Sequence, residues 1–202
     1  LYLERENTIT QLADIENRVS VAEVRNRVRQ VPPEVKALQD QLAAAGLTVA
    51  EQAWDDQTPL GSVRMVNLVA TIPGARKDRL VFAGHYDTKR FREFRFVGAN
   101  DGGSSAAFLI ELARVLKARK NALTIEVLFL DGEEAIVEWQ GNDHTYGSRH
   151  YVEAAKRDGS LASLKAMVLV DMIGDRDLQI KRDVNSTAWL SEIIWDAARR
   201  QK

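Results

Sequence analysis

Cysteine is absent from this 202-residue sequence, which removes disulfides, thiolate metal ligation and cysteine catalysis together. An excess of one charge is missing too. The 28 basic and 29 acidic residues are interspersed and leave a formal net charge of −1, so no single-sign face argues for nucleic acid or a membrane surface. No apolar run is long enough to cross a bilayer. The first residues, from Leu1 on, do not read as an export signal, and the sequence contains no internal repeat or low-complexity tract.

What is there suffices for one substantial core: 45% of the residues are hydrophobic. Residues 5–30 read as one or two amphipathic helices, and Pro32–Pro33 open another over 33–45 that closes at Gly46. The segment 1–46 is therefore expected to be helical and to pack on a core domain formed by 47–202. LTVAEQAW and VRMVNLVATI read as an antiparallel strand pair at one side of a sheet. Beyond Pro73-Gly74 the order is a strand ending at His85, helix 102–118, strand 123–130, helix 147–157, strand 165–171 and helix 187–200. That alternation predicts a three-layer α/β/α sandwich with a mixed, mostly parallel sheet.

Three strands in this reading end in charge. IEVLFLDGEE runs from Val127–Leu130 through a glycine turn to Glu133 and Glu134. RLVFAGHYD leads into His85 and Asp87, and LKAMVLVDMIGD into Asp171. Burying a strand and ending it in paired carboxylates is costly unless something balances the charge. In a mostly parallel sheet such ends gather on one edge, where ligands bind. Asp101 opens the helix at 102–118; alone it would serve as an ordinary N-cap. Together these groups have the composition of a metal site. His85, Asp101, Glu134 and Asp171 are expected to hold one or two divalent ions, zinc being one that accepts such donors, with Asp101 as the bridge. Glu133 is expected to stay unligated as the general acid/base, and Asp87 to orient the His85 imidazole.

Two loops stand out. KRFREFRFVGAN, 89–100, mixes three Arg with three Phe; beside neutral net charge it reads as a rim loop next to the site and not as a nucleic-acid patch. AIVEWQGNDHTYG, 135–147, is a long connection of the kind that carries function. Its His144, like His150, reads as a loop or surface residue and not as a ligand. Ser104 and Ser105 lack a nucleophile-elbow context, and the glycines near residue 100 form no nucleotide-binding pattern.

HYD at 85–87, GANDGGSSAA at 98–107, DGEE at 131–134, YGSRH at 146–150 and LVDMIG at 169–174 resemble, in order, the motifs of the M28 zinc peptidase family. The resemblance spans roughly residues 65–195. It implies a phosphorylase/hydrolase-like fold, ligation by His85, Asp101, Glu134 and Asp171, and acid/base chemistry by Glu133. DGEEA followed by Trp139, Asp143 and YGSRH is similar to the glutaminyl cyclase branch, in which Trp139 would wall the substrate pocket. GANDGGSS is closer to the aminopeptidases. The expected activity is conversion of an N-terminal glutamine to pyroglutamate, with hydrolysis of the first peptide bond as the alternative. The implied partners are peptide or protein N-termini, and the family implies a periplasmic or extracellular setting. Members carry a further histidine ligand beyond LVDMIG, which neither His144 nor His150 matches. A fragment incomplete at its C-terminus, catalytically silent for want of that ligand, is therefore a third expectation. The sequence sets no oligomeric state.

Overall fold

The structure, a computed structural model, describes residues 33–91 and 93–201. The helices expected over 5–30 lie outside the described residues. Helix α1 (Pro33–Ala44) starts on proline, whose fixed φ suits a first helical turn, and stops before Gly46 at φ +72°. Strands β1 (Val49–Thr58) and β2 (Gly61–Ile72) form a hairpin, in which the Thr58 hydroxyl donates to the Gly61 carbonyl at 2.8 Å. Then come β3 (Arg76–His85), α2 (Gly103–Lys117), β4 (Leu123–Leu130), α3 (Tyr146–Arg157), a 3₁₀ turn (Ser160–Ser163), β5 (Leu164–Leu169) and α4 (Ala188–Arg199).

The five strands make one sheet in the order β1-β2-β4-β3-β5. Strands β3, β4 and β5 are parallel neighbours, whereas β2 runs antiparallel to both β1 and β4. The hairpin therefore sits at one side, as expected. Strand β4 lies centrally and reads as a continuous apolar run because both of its faces are covered. Val127 and Phe129 join Leu68, Ala70 and Leu109 on one face; Leu128 and Leu130 join Val81, Ala83 and Tyr151 on the other. Helices α1 and α2 cover the first face, with Val35, Leu42, Leu109 and Ala113 fully buried. Helix α3 covers the second through Tyr151. Each fully buried valine, leucine or phenylalanine among them contributes about 1.5–3 kcal/mol. The three-layer α/β/α sandwich is confirmed.

A polar cross-link pins α3 to the sheet. Arg79 on β3 donates to Glu126 on β4 at 2.5 Å, and Tyr151 donates to the other Glu126 oxygen at 2.5 Å. Arg79 also donates to the Ser163 hydroxyl and the Ser160 carbonyl, each at 2.9 Å, so the buried charge meets partners on every side. Among the described residues no helix is long and apolar enough to cross a membrane.

Candidate metal and active site

Parallel pairing brings the chemistry together. His85 pairs with Leu130 and Ala83 with Leu169, so β3, β4 and β5 end at the same edge and their following residues face one another. Strand β5 stops at Leu169, two residues before the expected end, and Asp171 lies just beyond it. His85 is 2% exposed. Its Nε2 lies 3.1 Å from an Asp101 oxygen and 3.2 Å from an Asp171 oxygen. Ligand atoms of His85, Asp101 and Asp171 all fall within 4.8 Å of one another.

Asp101 does not cap α2. The cap position is Gly102, with no side-chain capping bond, and the Asp101 carboxylate turns to His85. Glycine is required there for two reasons. Its φ is +83°, and a Cβ would lie 2.6 Å from the Asp87 carbonyl oxygen and 3.2 Å from the His85 ring. The helix can thus start against the imidazole only because residue 102 has no side chain.

Asp87 works on both sides of the site. Its carboxylate accepts from the backbone N–H of Glu133 at 3.1 Å and of Glu134 at 3.0 Å, which fixes the DGEE turn. The same carboxylate lies 3.4 Å from His85 Nδ1, and its carbonyl 3.1 Å away. Burial opposes charge on His85, but the hydrogen bond and charge of Asp87, with Glu133 and Asp171, outweigh it and raise its pKa to about 9. Glu133 moves the other way for a carboxylate. Burial, against the pull of His85 and with repulsion from Asp87, Glu134 and Asp171, raises it to about 7. Glu134 is also raised, first by burial and then by Asp101 and Asp87. This much negative charge around one imidazole is what a divalent cation would balance, and imidazole plus carboxylate is a donor set that zinc accepts. The residues fit such an ion.

Glu133, Glu134, Asp101 and Asp171 line one cavity of about 480 Å³ together with Trp139 and Met172. The tight three-residue group does not include Glu134, which faces the same space. His144 and His150 stand apart from that group: His144 stacks on Trp139 and His150 on Trp54, with ring centroids 4.5 and 4.1 Å apart. Lys89, Phe91 and Phe96 also line the cavity, so the described residues of the 89–100 segment rim the site.

Two carboxylates that hold the site were not singled out for that role from sequence. Asp131 accepts from the N–H of Val66 at 2.7 Å and of Gly132 at 2.9 Å, and burial raises its pKa to about 6. Asp143 accepts from the N–H groups of Ile136, Val137 and Glu138 at 2.8–3.2 Å and from the Tyr146 hydroxyl at 2.8 Å. That clamp shapes the loop bearing Trp139. The only sequence signal is an acid inside a long loop just before a helix.

Residues 67–202 match the model of peptidase family M28. The chain is similar to a glutaminyl-peptide cyclotransferase of Drosophila melanogaster, 34% identical over 135 residues, covering 64% of this chain and 38% of that protein. It is 36% identical over 150 residues to a glutaminyl-peptide cyclotransferase-like protein of Mus musculus, covering 66% and 39%. An Acidobacteriales bacterium glutaminyl cyclase structure superposes with a TM-score of 0.78 at 36% identity, covering 96% of this chain and 66% of that one. A Zn-dependent exopeptidase from Parabacteroides distasonis shares the fold at 20% identity and a TM-score of 0.67, covering 82% and 62%. The chain spans 38–43% of the length of such curated relatives.

Proposed function

Because the chain belongs to peptidase family M28 and its relatives are glutaminyl cyclases, we propose that it serves a zinc-dependent enzyme converting N-terminal glutamine to pyroglutamate. The observation that carries this reading is the meeting of His85, Asp101 and Asp171 within 4.8 Å, at a cavity that Glu133, Glu134 and Trp139 also line. His85, Asp101, Glu134 and Asp171 would hold the ion. When bound, zinc supplies Lewis-acid polarisation of a carbonyl oxygen.

The chain's own residues account for the proton traffic. Glu133, with a pKa of about 7, can take a proton from the α-amine as that nitrogen attacks the γ-amide carbon. The C–N bond to the amide nitrogen then breaks, and Glu133 returns the proton to departing ammonia. No water is consumed. Asp87 keeps Glu133 on station through its backbone N–H, and Trp139 walls the pocket against the glutamine side chain.

Incubating a peptide with N-terminal glutamine and weighing the product tests the reaction. Loss of ammonia is expected. Release of a free amino acid would instead support the aminopeptidase reading, which GANDGGSS favours and in which Glu133 deprotonates water. In either case Glu133→Gln should lower kcat by at least about 10²-fold, in the range of general acid–base contributions, while zinc content stays intact. Retained turnover would refute the assignment.

A further inference from the structure

The cavity is chemically two-sided. Asp101, Glu133, Glu134 and Asp171 form its acidic half, and Phe91, Phe96 and Met172 part of its apolar half. Behind the lining, Phe94 stacks on Phe91 with centroids 4.6 Å apart, and Phe96 meets Phe91 edge-on at 5.4 Å. These three rings are 36–39% exposed, and Met172 is 53% exposed. Rings packed on one another yet open to solvent next to a site form a contiguous apolar surface of the kind that marks a ligand-binding groove. The loop is tied to the site: Lys89 donates to the Ala135 carbonyl, joining it to the connection that bears Trp139.

The geometry points to this phenylalanine shelf as the subsite for the second residue of the peptide, selecting a large apolar or aromatic side chain there. The inference rests on the cyclase reading. The first residue belongs at the acidic end, because only the carboxylates match its amine and its amide is polar throughout. It leaves the aromatic surface unused. The next Cα lies 3.8 Å further along the chain, so the second side chain is the first that can reach the rings. Offset and edge-to-face ring contacts, with the apolar area they cover, supply the preference.

The test uses two dipeptide amides, Gln-Phe-amide and Gln-Gly-amide. Their affinities are measured by calorimetry on the Glu133→Gln variant, so that neither is consumed, and their turnover is followed as ammonia release by the wild type. Gln-Phe-amide is expected to bind about tenfold more tightly, equivalent to about 1.4 kcal/mol. Adding Phe94→Ala and Phe96→Ala should bring the ratio towards one, with circular dichroism verifying the fold. Equal affinity for both dipeptides before that change, or a ratio untouched by it, overturns the subsite. Unequal affinity without ammonia from either peptide would overturn the cyclase reading and leave the subsite standing.

Discussion

At the scale of single residues, the site depends on carboxylates that work through backbone N–H groups. Asp87 holds the two glutamates, and Asp131 holds β2 and the glycine turn beside them. Asp131 offers a pH test away from the chemistry. Its folded pKa, about 6, lies above its ordinary value of 3.8, chiefly through burial. The native state therefore holds its proton more tightly than the unfolded chain. The stabilisation is fully present below pH 3.8 and is lost as pH rises through 6, a change of roughly 3 kcal/mol. Asp131→Asn keeps an acceptor but cannot ionise. Urea unfolding of both proteins from pH 4 to 7 should show the wild type losing stability relative to the variant. A constant difference would mean that Asp131 does not titrate in this window.

Elements carry these residues into register, and loops decide what the site can grip. Ahead of α3 the 135–145 connection has no regular structure, yet four hydrogen bonds converge on its Asp143. Burial works against charge on this carboxylate, but those donors prevail and lower its pKa. Its stabilisation is therefore present above the ordinary carboxylate range and is lost as pH falls. Asp143→Ala would leave three backbone N–H groups and a tyrosine hydroxyl without their acceptor, at about 1–3 kcal/mol for each that water does not reach. Because Trp139 lies in the clamped loop, KM for an N-terminal glutamine peptide should rise about tenfold while kcat changes less. Steady-state kinetics checks this; a loss confined to kcat would contradict it. Asp143→Asn should recover part of the affinity.

For the molecule as a whole, most of the architecture was legible in the sequence. Apolar runs such as Val127–Leu130 mark strands covered on both faces, and the helical spacing of Leu109 and Leu116 marks the helix that covers one of them. Strand ends in charge pointed to the meeting of His85 with Asp171 and to the cavity that Glu133 and Glu134 line, because parallel neighbours must finish at a common edge. Local signals failed where tertiary contacts took over. Asp101 has the form of an N-cap, but His85 competes for its carboxylate and Gly102 takes the cap position. Strand β5 stops before Asp171, so that residue meets His85 from a loop. The clamp at Asp143 had no periodicity to betray it, since three of its partners are backbone groups of neighbouring loop residues and the fourth is the Tyr146 hydroxyl.

The central claim is that imidazole and carboxylate groups from separate strand ends and from the start of α2 share one divalent ion. Equilibrium dialysis against zinc, read by elemental analysis on the wild type and on Asp101→Asn, tests it directly. The wild type should retain zinc stoichiometrically, and Asp101→Asn should bind it at least about tenfold more weakly with an unchanged circular dichroism spectrum. Zinc retained equally by both proteins, or by neither, would contradict the claim.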